Sequence, residues 1–215
     1  LFTVKGNVLS MRSTDIEITY TLNLNVVGED EGAVALPVRL LQEITSELPD
    51  TELTFAWSDD SRVTLSTTGG TYKIVGRPAM DFPEAPELGP ANSLEIKSKV
   101  LKRTVEKTVF AVSKDELKPA LLGVLFELKK NEIRAVATDG HRLAQVEMPQ
   151  PEGAADIPGV IVPRKAVAEL HKLIEDSDET VAISLSDTRI RFAFDHVVLT
   201  SKLVDGTFPD YQRVI

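Results

Sequence analysis

The chain has 215 residues, 42% of them hydrophobic and 27% charged, enough to bury one large core or two ordinary ones, and no stretch resembles a membrane span or a signal peptide. It holds no cysteine, which excludes disulfides and thiolate metal sites and agrees with a reducing cytosolic compartment. A formal net charge of -9 argues against adhesion to nucleic acid over the whole surface, but leaves room for a local basic stripe.

In chain order, "DIEITYTLNLNV" alternates apolar residues at Ile16, Ile18, Tyr20, Leu22, Leu24 and Val26, the period of a half-buried strand. "PVRLLQEITSEL" switches to helical spacing, with Pro37 at its head and Leu40, Leu41, Ile44 and Leu48 on one face. "TELTFAWSDDSRVTLSTTGGTYKIV" returns to short strands broken by Asp-Asp-Ser and Gly-Gly turns. "PEAPELGPANS" has the prolines and glycine of a linker. A helix over "SKVLKRTVEKTVFAV" follows, then strands up to Thr138, a second helix from Pro163 carrying Ala166, Val167, Leu170 and Ile174, and strands near 180–185, 188–194 and 197–203. The expectation is an α+β protein in which a few helices cover one face of antiparallel sheet.

The chain also repeats itself. "LFTVKGNVLSMRSTD" (Leu1 to Asp15) lies over "LFELKKNEIRAVATD" (Leu125 to Asp139), matching Leu, Phe, Lys, Asn, Thr and Asp. At an offset two residues longer, "ALPVRLLQEI" lies over "IVPRKAVAEL", and Phe82-Pro83 over Phe208-Pro209. Two copies of one module are expected, the first without a counterpart of the stretch that begins near Ser93 and precedes Leu125; the chain reads as a fragment, because it opens inside a strand and without Met.

Charge separates the copies. Residues 1–92 hold 6 Lys plus Arg against 14 Asp plus Glu, a balance of -8, whereas residues 93–215 hold 18 against 19, a balance of -1. On the helix from Ser98, Val100, Leu101, Thr104, Val105, Thr108, Val109 and Val112 fall on one side, with Lys99, Lys102, Arg103 and Lys107 opposite, interrupted by Glu106. Arg164, Lys165 and Lys172 likewise oppose the apolar stripe of the helix from Pro163. Such lysines are ordinarily a solvated face. Their concentration on two helices of an acidic chain, with few acids at partner spacing, points instead to a positive surface for phosphate backbone. Contacts of this kind bind weakly and salt-sensitively, roughly 10⁻⁴ to 10⁻⁶ M, so retention on DNA needs a geometric device.

"ATDGHRLA" sets Asp139, His141 and Arg142 side by side. Thr138-Asp139 matches Thr14-Asp15 and reads as a tight turn with the Asp bonding local backbone; Gly140-His141-Arg142 is particular to the second copy. A hydrolase using Asp139 and His141 is a poor account, since the chain has no nucleophile-elbow pattern. The three histidines, His141, His171 and His196, lack ligand spacing, so no metal or cofactor is expected. A structural turn, or a binding surface made of exposed backbone and two flat side chains, fits better.

Together, "ATDGHRLA", "VIVPRKAV" and "TSKLVDGTFPDYQRVI", in this order on a repeated module, resemble the bacterial DNA polymerase III beta subunit family, the sliding clamps, over the whole chain. The resemblance implies the DNA clamp fold, repeated modules of antiparallel sheet with two helices each. Residues 1–87 would be the first clamp domain without its N-terminal part, 88–92 a linker and 93–215 the central domain. It implies a cytoplasmic, nucleoid-associated, non-catalytic processivity factor without cofactor or membrane contact, whose head-to-tail homodimer encircles duplex DNA. DNA-facing residues would be Arg39, Lys99, Lys102, Arg103, Lys107, Arg164, Lys165 and Lys172, with Lys114 and Lys118 in a loop that lacks the aromatic residues of some members. A pocket of Leu121, Thr138, Gly140, His141, Arg142, Leu143, Pro209, Arg213 and Val214 would capture short peptides of polymerase, clamp loader and repair proteins, with part of that pocket supplied by a third domain. A stand-alone DNA-binding module that holds duplex by contact is the remaining rival.

Overall fold

A computed structural model of the chain describes residues 1–85, 87–129, 132–149 and 157–215. The chain divides into two compact units, Leu1–Ile16 with Tyr20–Ala85, and Glu17–Thr19 with Pro86–Ile215. The first contains β1 (Phe2–Lys5), β2 (Val8–Thr14), all but the first two residues of β3 (Ile18–Asn25), β4 (Gly32–Ala35), α1 (Val38–Ser46), β5 (Thr54–Trp57), β6 (Arg62–Thr67), β7 (Gly70–Val75) and the short β8 (Arg77–Pro78). The second contains β9 (Asn92–Lys97), α2 (Ser98–Thr108), β10 (Gly123–Lys129), β11 (Glu132–Thr138), β12 (Leu143–Pro149), β13 (Ile157–Pro163), α3 (Arg164–Leu173), β14 (Thr180–Leu185), β15 (Arg189–Ala193) and β16 (Val197–Lys202).

The repeat survives in the pairing register. In the first unit Phe2 faces Met11, Val4 faces Leu9 and Phe2 also faces Val34. In the second, their equivalents Phe126 and Ala135, Leu128 and Ile133, and Phe126 and Val160 are paired in the same way. The strands run β8-β4-β1-β2-β3 in the first unit and β12-β11-β10-β13 in the second, and the antiparallel meander β5-β6-β7 has β14-β15-β16 as its counterpart.

Two sequence expectations needed adjustment. Ile16 does not begin a strand: it sits at φ 78° in a bend, 67% exposed, and β3 starts at Ile18. Toward its end β3 is open on both faces, with Leu24 exposed as well as Asn23 and Asn25. On α1 Leu41 and Ile44 pack against the cluster of Phe2, Val34, Val63 and Ile74, but Leu40 is 41% exposed. The equivalent stripe of α3, Ala166, Val167, Leu170 and Ile174, is buried throughout.

The difference lies in what covers each helix. In the second unit α2 lies over β11 and β12 and α3 over β10 and β13, side by side on one face of the same sheet. Leu101, Val105, Val124, Ile133, Ala135, Met148, Val162, Val167 and Leu170 are all buried there. The two threonines on the buried side of α2 are satisfied without leaving it: Thr104 Oγ1 donates to Val100 O at 2.8 Å and Thr108 Oγ1 to Thr104 O at 2.8 Å. Strand alternation puts Leu125, Val136 and Ile161 on the opposite face, where they close over Tyr211.

Candidate functional site

The hairpin turn between β11 and β12 is built by its own side chains. Asp139 Oδ1 accepts the N–H groups of His141 and Arg142, both at 3.0 Å, and Oδ2 accepts Arg142 Nε at 3.0 Å. Thr138 Oγ1 accepts Gly140 N–H at 3.1 Å and donates to Arg142 O at 2.7 Å. Gly140 completes the turn at φ 91°, a region that suits a residue without Cβ. The bonds from the His141 and Arg142 amides, then the Arg142 guanidinium, hold the Asp139 carboxyl down at about 2. A carboxylate so weakly basic is a poor proton acceptor at neutral pH, and its oxygens are taken by two backbone N–H groups and the Arg142 guanidinium rather than the imidazole, which argues against the Asp139/His141 hydrolase.

Around this turn the chain gathers other elements. The Arg142 guanidinium lies over the Phe110 ring, 5.6 Å from its centroid, and Phe110 is itself 55% exposed at the end of α2. Lys118 Nζ stands beside Gly140, and Gly206 passes Ala120 on the neighbouring turn. Leu143 packs with Ala120, Val204 and Phe208 onto the cluster of Leu125, Val136, Ile161 and Tyr211. A groove of about 420 Å³ runs along the C-terminal segment, lined by Leu125, Glu127, Gly159, Ile161 and residues 206–212. A second, of about 620 Å³, is lined by Arg103, Lys107, Phe110 and residues 143–146.

Of the sequence-expected pocket residues, Thr138, Gly140, His141, Arg142 and Leu143 are thus held on one turn, and Pro209 lines the first groove. Leu121 is buried, in a 3₁₀ turn next to Ala120, rather than lining open space. Arg213 and Val214 are exposed, with Arg213 Nε bonded to Asp210 Oδ2 at 2.8 Å. Neither groove collects all nine.

Apart from Lys165, the expected DNA-facing cations fall into two groups. Lys102, Arg103, Lys107, Lys114, Arg164 and, on α1, Arg39 have no acidic partner within 4 Å among the described residues. Lys99 does: with Lys97 it converges on Asp178, at 2.6 and 3.2 Å, and Lys99 first and Lys97 second pull that carboxyl below its ordinary range. Lys172 pairs with Glu169 at 2.8 Å, and Lys118 stands 3.9 Å from Asp115. The expected scarcity of acids at helical partner spacing therefore fails for Lys172, while Lys99 is paired by an acid from outside its helix. Glu106, the one acid on the α2 face, is occupied by His171 of α3 at 3.3 Å. That contact joins the outer surfaces of the two helices.

Sequence reasoning overlooked Phe110, which follows the last basic residue of α2, and a polar cluster on the far side of the sheet. There Arg134, Glu127 and Glu147 lie directly opposite one another on β11, β10 and β12. Arg134 Nη2 bonds Glu147 at 3.0 Å and also Glu132, and Nη1 donates to the Tyr211 hydroxyl at 3.1 Å. Tyr211 in turn donates to Glu127 Oε2 at 2.6 Å. Burial raises the Tyr211 hydroxyl, so it remains a donor at neutral pH. The "FPDY" motif carries that tyrosine; nothing in the sequence marks Arg134 as its partner.

Comparison with known proteins places these features. The family "DNA polymerase III beta subunit, N-terminal domain" matches residues 1–86, and "DNA polymerase III beta subunit, central domain" matches residues 95–210. The beta sliding clamp of Caulobacter vibrioides is 39% identical over 221 residues, covering 100% of this chain and 59% of that protein; the Escherichia coli K12 beta sliding clamp is 32% identical over 216 residues with the same coverage. Among solved structures, the sliding clamp of Bartonella birtlesii bound to griselimycin superposes with a TM-score of 0.92 at 40% identity, and the DNA polymerase III subunit beta of Pseudomonas aeruginosa with 0.94 at 32%. Both cover 100% of this chain and 59% of the other. The chain spans 59% of the length of the curated relatives it matches.

Proposed function

The chain belongs to the DNA polymerase III beta subunit family, and from that premise we propose that it works as part of a cytoplasmic sliding clamp, a non-catalytic ring that keeps polymerase on DNA. Residues 1–87 act as the first clamp domain, 88–92 as the linker and 93–215 as the central domain. The observation that carries the reading is the placement of α2 and α3. Both cover one face of the β12-β11-β10-β13 sheet, their outer surfaces meet at Glu106 and His171, and Lys102, Arg103, Lys107 and Arg164 have no acidic partner among the described residues. A helical layer with free cations on one side and a sheet on the other is what the inner wall of a DNA-enclosing ring requires. Contacts to phosphate through such side chains are weak and insensitive to sequence, which suits sliding.

Closure of the ring needs further strands. β7 and β12 are both sheet edges, and an exposed edge is a template for pairing with another chain or domain. Head-to-tail joining of two copies of the whole protein through unlike edges is a heterologous contact that closes if the rotation allows. The 138–143 turn, with Leu121, Pro209, Arg213 and Val214, then forms the outer cleft for short peptide segments of the polymerase, clamp loader and repair proteins. Turn backbone fixed by Asp139 and Thr138 supplies a rigid wall, Leu143 an apolar floor, and Arg142 and His141 a polar rim. Griselimycin, bound by the Bartonella birtlesii clamp, supplies a ligand with which to test this cleft.

The test uses the full-length protein loaded on closed circular duplex. Cutting the circle should release it at the free ends, while the closed circle retains it. Equal retention on both would indicate a module that holds DNA by contact. Turnover of ester or phosphate substrates with a neutral midpoint would favour the hydrolase.

A further inference from the structure

The segment Pro209–Val214, which carries three of the cleft residues, has little of its own to hold it. Arg213 and Val214 are exposed, Pro209 is exposed, and the Arg213–Asp210 ion pair lies within the segment. What ties it to the sheet is Tyr211, 6% exposed, with its ring in the Leu125–Val136–Ile161 cluster and edge-on to Phe208 at 6.4 Å. Its hydroxyl is fixed on both sides, accepting from Arg134 and donating to Glu127. Arg134 is in turn braced by Glu132 and Glu147.

The first unit solves the same problem with different atoms. On β2, Arg12 Nη2 donates to Pro83 O at 3.1 Å and its guanidinium lies over the Phe82 ring, 5.2 Å from the centroid. Phe82-Pro83 is the equivalent of Phe208-Pro209. Arg12 aligns with Val136, two residues from Arg134 and so on the same face of the equivalent strand. In both units, too, the arginine Nε is buried without a hydrogen-bond partner among the described residues. Each copy thus fastens its Phe-Pro segment with an arginine from the second strand, but only the second copy inserts a tyrosine between them and so brings down the following turn.

We propose that Arg134, acting through the Tyr211 hydroxyl and Glu127, is a positioning residue for the peptide cleft: it pre-sets Pro209–Val214 and thereby the strength with which the cleft holds a ligand. This rests on the cleft assignment above. Pre-setting matters because a ligand that must first order a loose wall binds more weakly by that ordering term.

The experiment measures griselimycin affinity by calorimetry, thermal midpoint, and amide exchange over 209–214 in the full-length protein. Tyr211→Phe keeps the ring and removes only the hydroxyl. Affinity should fall about 5- to 10-fold, with faster exchange confined to 209–214 and little change in midpoint. Arg134→Met should do the same, Arg134→Lys should recover part of the loss, and the double variant should be no weaker than Arg134→Met alone, since both act along one path. Wild-type affinity in Tyr211→Phe, or additive losses in the double variant, would overturn the proposal. Arg142→Ala separates the two readings: if it leaves griselimycin affinity unchanged, the cleft assignment fails and this inference falls with it; if it lowers affinity while Tyr211→Phe does not, the inference alone is lost.

Discussion

Ile16 and Gly140 occupy the same turn position in the two copies, and they hold the same backbone. Each donates its N–H to the hydroxyl of the threonine two residues earlier, at 3.0 Å to Thr14 and 3.1 Å to Thr138, and each lies at positive φ, 78° and 91°. Gly140 adopts that conformation without penalty. Ile16, β-branched, does not, because its Cβ crowds the carbonyl that follows. With its side chain 67% exposed, little burial offsets the strain.

Ile16→Gly should therefore stabilise the protein, by about 1 kcal/mol once the greater freedom of glycine in the unfolded chain is deducted. Denaturant unfolding of the variant against wild type measures this. Gly140→Ile should show the opposite sign and at least that magnitude. A destabilised Ile16→Gly would mean that the first turn does not keep the geometry of the second.

The Ile16 position also shows where sequence reading stops. The internal repeat was legible from matched residues, and the register Phe2 to Met11, Phe126 to Ala135 reproduces it. The Asx-type turn was legible too, because Thr-Asp-Gly is a local signal. Alternation misled at Ile16, since an apolar residue at the right parity counts as strand whether or not its φ allows it. Burial of α1 was overestimated for another reason: its stripe matches that of α3, and only the neighbouring helix decides whether Leu40 is covered like Ala166. Arg134 was invisible because its role depends on Tyr211, 77 positions away in the chain, folding onto its strand.

That contrast between helices predicts unequal responses to core truncation. Leu170 on α3 is fully buried, and Leu170→Ala should cost about 2–5 kcal/mol. Ile44, its counterpart on α1, is only partly buried in this 215-residue chain, so Ile44→Ala in the same chain should cost about half as much or less. Paired unfolding curves decide it; equal losses would show that α1 is covered as fully as α3.

Acid should loosen the 138–142 turn in a narrow window. The Asp139 carboxyl is lowered from 3.8 to about 2 in the folded chain by the His141 and Arg142 amides. A group depressed on folding contributes stability above its unfolded value, and that contribution is lost as pH falls from about 4 through about 2. The amide resonances of His141 and Arg142 should titrate with a midpoint near 2, and Asp139→Asn should abolish the titration. A midpoint near the unfolded value would mean that those two bonds do not form in solution.

Paired and unpaired cations should differ in how they meet DNA. A lysine already neutralised by a carboxylate exchanges one anion for another when phosphate arrives, so it releases little bound counterion. A free cation releases nearly one, and lowers the slope of log affinity against log salt by about 0.9 when removed. Lys99, held at 2.6 Å by Asp178, and Lys172, held at 2.8 Å by Glu169, belong to the first kind; Lys102, Arg103, Lys107 and Arg164, with no acidic partner among the described residues, belong to the second. In the full-length protein binding short duplex, followed by anisotropy between about 50 and 200 mM salt, alanine at any of the second four should flatten the slope by close to one unit. Alanine at Lys99 or Lys172 should leave it nearly unchanged, and Asp178→Asn should steepen it by freeing Lys99. Equal effects across all six would remove the distinction and leave the basic surface acting only through its total charge.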